Sequence, residues 1–204
     1  MQLLLIRHAL PSRIENAAEG ADPGLAPTGV EQAARVPAAI DRHRIVRIVS
    51  SPQLRAQETA KPTAEKLGLD VGILDGLAEY DHGNSFYIPI EQAKHDFPEM
   101  YERIKNGHLP EVVDGQAFKQ RVLDAVQSIV ETTDHADTVA AFAHGGVINT
   151  YVGDILDIEK RLAFPIDYCS VTRILFSRNG KRTVASVNET SHVWDLLPRN
   201  IASS

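Results

Sequence analysis

Leu3-Leu4-Leu5-Ile6, followed at once by Arg7-His8, is the stretch that decides the fold. An apolar run without polar alternation is the pattern of a strand covered on both faces, as in the middle of a parallel sheet. The change to a guanidinium and an imidazole marks the strand's carboxyl end, where open α/β sheets bind their ligands.

Downstream of this strand, polar turn-forming sequence runs to Pro27. Thr28-Gly29-Val30-Glu31 then predicts a capping box, with Thr28 at the N-cap and Glu31 three residues on, opening a helix over about 28–42 that Pro37 bends or shortens. A second strand is expected over 45–50. After it, Ser51 as N-cap and Pro52 at the first helical position predict a helix over 52–67 that stops at Gly68. A short strand is expected over 70–74. From Glu79 to about 115 the periodicity fades into Gly, Pro, His and aromatic residues, with a weak helical stretch near 90–105; such a segment inside a compact chain reads as a lid or insertion. Helical spacing returns over 116–132, with Phe118, Val122, Val126, Ile129 and Val130 on one face. Another buried strand covers 139–143, then His144-Gly145-Gly146 and a helix over about 147–156. Strands over 170–177 and 182–188 flank Asn179-Gly180, a strong hairpin signal. With neither repeats nor a linker, the reading is one α/β domain over 1–204, its sheet mostly parallel with an antiparallel pair near the end and a lid at about 80–115.

Composition narrows the class. The 204 residues are 43% hydrophobic and 24% charged, enough for a real core and too apolar for disorder. The 21 Lys and Arg against 27 Asp and Glu give a net charge of −6, which speaks against a sequence-blind nucleic-acid binder. The uncharged window 138–153 is only 16 residues long and holds His144, three Gly and Asn149, so no membrane span is expected. Arg7-His8 breaks the first apolar run too early for a signal peptide, and Cys169 is the lone cysteine; both point to a reducing cytoplasm.

Three strand ends carry unusual residues: Arg7-His8, the stretch 51–55 ending at Arg55, and His144-Gly145-Gly146. If the strand order brings them together, they offer two guanidiniums, two imidazoles and two helix N-termini. That set suits a doubly charged anion such as a phosphate, which Arg forks grip bidentately and helix N-termini favour.

Leu5-Ile6-Arg7-His8-Ala9 resembles the Arg-His-Gly signature of the histidine phosphatase superfamily, the group that holds cofactor-dependent phosphoglycerate mutases and many phosphomonoesterases. Ser51-Pro52-Gln53-Leu54-Arg55-Ala56-Gln57-Glu58-Thr59-Ala60 is similar to the family's Ser-Pro-x-x-Arg-Ala-x-x-Thr-Ala block, and Ala143-His144-Gly145-Gly146 to its second histidine block. Leu77-Ala78-Glu79 with Gly83 resembles its acid-bearing segment, and 188–192 a stretch near its end. The matches run in order from residue 3 to 192. The resemblance implies a phosphoglycerate mutase-like three-layer α/β/α sandwich with a mostly parallel central sheet and one antiparallel edge. It implies His8 as the nucleophile that becomes a phosphohistidine, Glu79 as general acid and base, and Arg7, Arg55, His144 and Gly145 around the phosphoryl oxygens. It implies neither metal nor cofactor. Asp81 is the rival to Glu79 for the acid, and His192 is balanced between orienting a neighbour and a structural hydrogen bond.

Departures from the pattern bear on activity. Ala9 replaces the usual Gly, which implies negative φ or room for a methyl group there. Ile14 stands where the mutases carry a phosphate-contacting Asn, with Asn16 nearby, and the usual Trp-Glu-Gly after the acid segment is replaced by Asn84-Ser85-Phe86-Tyr87. These features favour a metal-independent phosphatase acting on a small phosphorylated metabolite. Mutase-type phosphoryl transfer and a catalytically silent phospho-ligand binder are the alternatives. Apolar 162–164 with Tyr168 suggests a possible homodimer contact.

Overall fold

A computed structural model describes residues 1–15, 17 and 20–201. Among these, β1 (Gln2–Arg7), β2 (Ile45–Ser50), β3 (Val71–Ile73), β4 (Thr138–Ala143), β5 (Val171–Phe176) and β6 (Arg182–Glu189) form one sheet in the order β3-β2-β4-β1-β5-β6. β1 is parallel to β4, and β2 is parallel to both β3 and β4. β5 runs antiparallel to β1 and to β6, so the hairpin supplies the antiparallel edge.

The helices divide between the two faces. Leu4 and Ile6 of β1 pack with Ala33, Val36 and Ile40 from α1 (Pro27–Ala39) and with Ala60 and Ala64 from α2 (Leu54–Leu67). Leu3 and Leu5 pack on the other face with Phe118, Val122, Val126 and Ile129 of the long helix Gly115–Glu131, and with Val147, Ile148 and Val152 of the helix Gly145–Leu156. The unbroken apolar run of β1 is thus explained: alternate residues of a central strand feed two separate cores.

Two helix starts differ from expectation. α1 begins at Pro27 with Ala26 at the cap and no side-chain cap, so the Thr28–Glu31 capping box does not form. Pro27, with φ already set, takes the first turn and moves the start upstream of Thr28. α1 ends at Ala39 with Pro37 in its last turn. α2 begins at Leu54 with Gln53 at the cap, not at Pro52 after Ser51. Its end is as expected, at Gly68 in the left-handed conformation with φ 64°.

The irregular segment holds two short helices, α3 (Ile90–Asp96) and α4 (Pro98–Lys105). The 3₁₀ turn Asp75–Leu77 leads into it. Its first part is tied to the loop after β1: Ile14 and Tyr87 exchange backbone hydrogen bonds, and Ala17 and Ala21 donate to the carbonyls of Ser85 and Asn84. Arg13 reaches Asp96 of α3 at 2.7 Å. In order, the helices Gly115–Glu131 and Gly145–Leu156 are α5 and α6. The stretch 162–164 is half-buried. Leu162 and Phe164 pack on the α5–α6 core, and Tyr168 is buried.

Candidate active site

The strand order places the carboxyl ends of β2, β4 and β1 side by side. Ser51, His144 and His8 follow these three strands directly, so residues far apart in sequence meet at one end of the sheet. His8 borders a cleft of about 1190 Å³ that Arg7, Arg55, Glu79 and Gly145 also help to line.

His8 is buried, its Nδ1 2.8 Å from the carbonyl oxygen of Ala9. A carbonyl only accepts, so Nδ1 carries the proton and Nε2 the lone pair. Burial first, and then the Arg55 and Arg7 charges, hold its pKa well below the ordinary imidazole value. The ring is therefore neutral near pH 7. Ala9 is not among the positive-φ residues, and its amide donates to Thr59 Oγ1 at 2.9 Å.

His144 lies with its ring centroid 5.1 Å from that of His8. Its Nε2 is 2.7 Å from Ser51 Oγ, while Nδ1 is buried without a hydrogen-bond partner among the described residues. The expected capping residue is thus absorbed by the imidazole, although Ser51 Oγ still accepts the Gln53 amide at 3.2 Å. Burial and then Arg55 depress the His144 pKa strongly.

Arg55 sits in the first turn of α2 and is only 1% exposed. One terminal nitrogen donates to both carboxylate oxygens of Asp81, at 2.8 and 3.0 Å. Its guanidinium carbon lies 4.5 Å from the centroid of the Tyr87 ring. Its Nε and other terminal nitrogen are buried without partners among the described residues. A buried cation with two donors free of protein partners at the border of a cleft has the chemistry to hold an anion. Arg7 ends β1, donates to the Ile166 carbonyl at 2.5 Å, and lies 4.0 Å over the ring of Tyr168.

Glu79 and Asp81 have distinct surroundings. The Glu79 carboxyl is buried, with Oε2 accepting the Gly146 amide at 2.7 Å and Oε1 the Tyr80 amide at 3.1 Å. Burial, and next the Asp81 charge, raise its pKa to about 7. Asp81 is occupied instead by Arg55 and by Gln53 Nε2 at 2.8 Å. Gln53 also accepts the Glu79 amide through Oε1 at 2.7 Å, so one side chain sets the spacing of the two acids.

Sequence reading missed several of these partners. It had no means of assigning Gln53, Thr59, Tyr87 or Tyr168 to the site, although Gln53 and Thr59 fall inside the block around Arg55. Gly146, rather than Gly145, meets the acid; Gly145 packs near Arg7, its Cβ position 3.8 Å from Arg7 Nε. His192 Nε2 lies 3.0 Å from the Cys169 carbonyl oxygen, and Cys169 N donates to the Arg7 carbonyl at 3.1 Å. Asn16 lies outside the described residues, and Ile14 pairs with Tyr87.

The profile of the histidine phosphatase superfamily (branch 1) matches residues 3–190. Phosphoserine phosphatase 1 of Hydrogenobacter thermophilus is 25% identical over 204 residues, covering 96% of each chain. Among solved structures, Bacillus stearothermophilus YhfR superposes with a TM-score of 0.77 at 24% identity, over 94% of this chain and 98% of that one. A mycobacterial glucosyl-3-phosphoglycerate phosphatase with bound VO3 superposes with a TM-score of 0.74 at 22% identity, over 92% and 98%.

Proposed function

The chain belongs to the histidine phosphatase superfamily (branch 1), and from that premise we propose that it hydrolyses phosphomonoesters through a phosphohistidine on His8. The observation that carries this reading is the pairing of a neutral His8, its lone pair on Nε2, with unsatisfied buried donors on Arg55 and His144. With Ser51 donating to His144 Nε2, the neutral His144 ring presents Nδ1–H to a phosphoryl oxygen. Arg7, Arg55, His144 and the Gly145 amide at the start of α6 surround the phosphoryl group and neutralise its charge, the main contribution a protein makes to this reaction.

In the first step His8 Nε2 forms a bond to phosphorus as the ester oxygen leaves, and the protonated Glu79 carboxyl delivers its proton to that oxygen. The alcohol departs and Glu79 is left as carboxylate. In the second step water attacks the phosphohistidine, Glu79 takes the water's proton, and inorganic phosphate leaves with His8 and Glu79 restored. A pKa of about 7 suits a group that must serve in both forms. Phosphoserine and glucosyl-3-phosphoglycerate, named in its relatives, mark the general class of phosphorylated small molecule as substrate.

The test is phosphate release from a panel of phosphorylated metabolites without added metal, alongside acid-labile phosphate labelling of the protein. The expected result is turnover and labelling in the wild type, with both lost in His8→Ala. Near-normal turnover in His8→Ala overturns the assignment. Phosphate appearing on a second hydroxyl of the substrate, rather than in water, identifies a mutase.

A further inference from the structure

Beyond the phosphate end, the cleft changes character. Met100 and Ile104 of α4 face it from one side, Phe118 of α5 from another, and Val113, Leu162 and Phe164 complete an apolar wall. Several polar groups that share this lining are committed elsewhere, while Asp75, His82, Asn84 and Ser85 also line it and are exposed. Arg121 donates to the carbonyls of Asp75, Gly76 and Ala78. Asp114 caps α5 by accepting the amides of Gln116 and Ala117. Asn149 spends its amide on the Gly145 and Phe164 carbonyls and its oxygen on the Phe164 amide. Asp81 holds Arg55 and Gln53. Lys105 is exposed and pairs with Glu102 on its own helix at 3.4 Å.

A zwitterionic leaving group such as serine needs a cation for its carboxylate and an acceptor for its ammonium. Burying either without a partner costs several kcal/mol, on the order of the penalty for an unpaired charge. The cleft supplies aliphatic and aromatic surface in that position, and its volume of about 1190 Å³ far exceeds what a three-carbon leaving group fills.

Resting on the phosphatase reading above, we propose that this site takes phosphomonoesters with a bulky, apolar leaving group, an alkyl or aryl chain seated on the wall formed by Met100, Ile104, Val113, Phe118, Leu162 and Phe164. Selectivity then comes from desolvating that group, while Arg7, Arg55 and His144 treat every phosphoryl group alike.

A series of n-alkyl phosphates tests this with the leaving-group acidity held nearly constant. Ethyl, butyl and hexyl phosphate are compared with phosphoserine by kcat/KM, reading inorganic phosphate. A buried methylene corresponds to roughly a threefold to fourfold gain, so hexyl phosphate is expected to exceed ethyl phosphate by at least ~30-fold and to exceed phosphoserine as well. Ile104→Asn is expected to flatten the series by lowering the hexyl ester about tenfold or more. Turnover of all esters with a flat series, or with phosphoserine ahead, overturns the inference and leaves the phosphatase reading standing. Release of phosphate from none of them overturns the phosphatase reading and the inference with it.

Discussion

Gly146 and Glu79 are fitted to each other: the Gly146 amide reaches Glu79 Oε2 at 2.7 Å, and a Cβ at position 146 would stand 2.3 Å from Oε1. The carboxyl keeps its place only while residue 146 has no side chain. Gly146→Ala is therefore expected to displace the acid and lower kcat at least tenfold on an alkyl phosphate. The loss on p-nitrophenyl phosphate, whose phenolate leaves without protonation, is expected to be much smaller. Steady-state kinetics on the two esters checks it, and equal losses refute the positioning role.

The pH profile carries the second prediction. In the proposed mechanism Glu79 must hold its proton to protonate the leaving alkoxide, so kcat/KM for an alkyl phosphate is expected to fall as pH rises through about 7. His8 stays neutral well below the ordinary imidazole range, so it sets no limb near neutrality. The substrate's own second ionisation, near pH ~6, shapes the acid side. Glu79→Gln is expected to remove the alkaline limb along with most of the rate, and a limb that persists in this variant belongs to another group.

Arg55 and Asp81 separate binding from scaffolding. Arg55→Ala is expected to cost about 3 kcal/mol of transition-state stabilisation, roughly a hundredfold in kcat/KM. Asp81→Ala leaves the Arg55 guanidinium, 1% exposed, without its carboxylate. Breaking such a pair costs about 3 kcal/mol of folding stability, readable as a lowered urea midpoint. An Asp81→Ala protein of unchanged stability would remove the ion pair from the account.

How much of this was legible beforehand depends on whether the cause is local. The buried run of β1, the stop at Gly68 and the hairpin around Asn179-Gly180 are written in short stretches, and each appears in the structure. The convergence of His8, Arg55 and His144 depends on β4 lying between β1 and β2, which no local pattern encodes. Thr28 has the chemistry of a cap, yet the neighbouring Pro27 decided where α1 starts. Ser51 has it too, and its hydroxyl serves His144. Gln53 joins Glu79 to Asp81 across more than two dozen residues, a contact visible only in three dimensions. Within the segment from Glu79 to 115 the helical stretch near 90–105 appears as α3 and α4, whereas the order of 84–87 comes from pairing with the loop after β1, which no local periodicity encodes.

Chelation is the fourth test. In the proposed mechanism the charge of the phosphoryl group is met by two guanidiniums and an imidazole N–H, and among the described residues no group of three His, Cys, Asp or Glu side chains is arranged to hold a metal ion. EDTA is expected to leave phosphate release unchanged. A rate lost to chelator and restored by a divalent ion would show that these cations are insufficient.

The position of β1 has a consequence for how the molecule comes into being. Gln2 is registered against Thr138 on one side and Leu175 on the other, so β1 meets both of its neighbours only across more than 130 residues of chain. Contacts this distant along the chain slow folding, because a long loop must close before any of them stabilises the product. The candidate site, which stands at the carboxyl ends of β1, β2 and β4, is therefore assembled only once these distant pairings have formed.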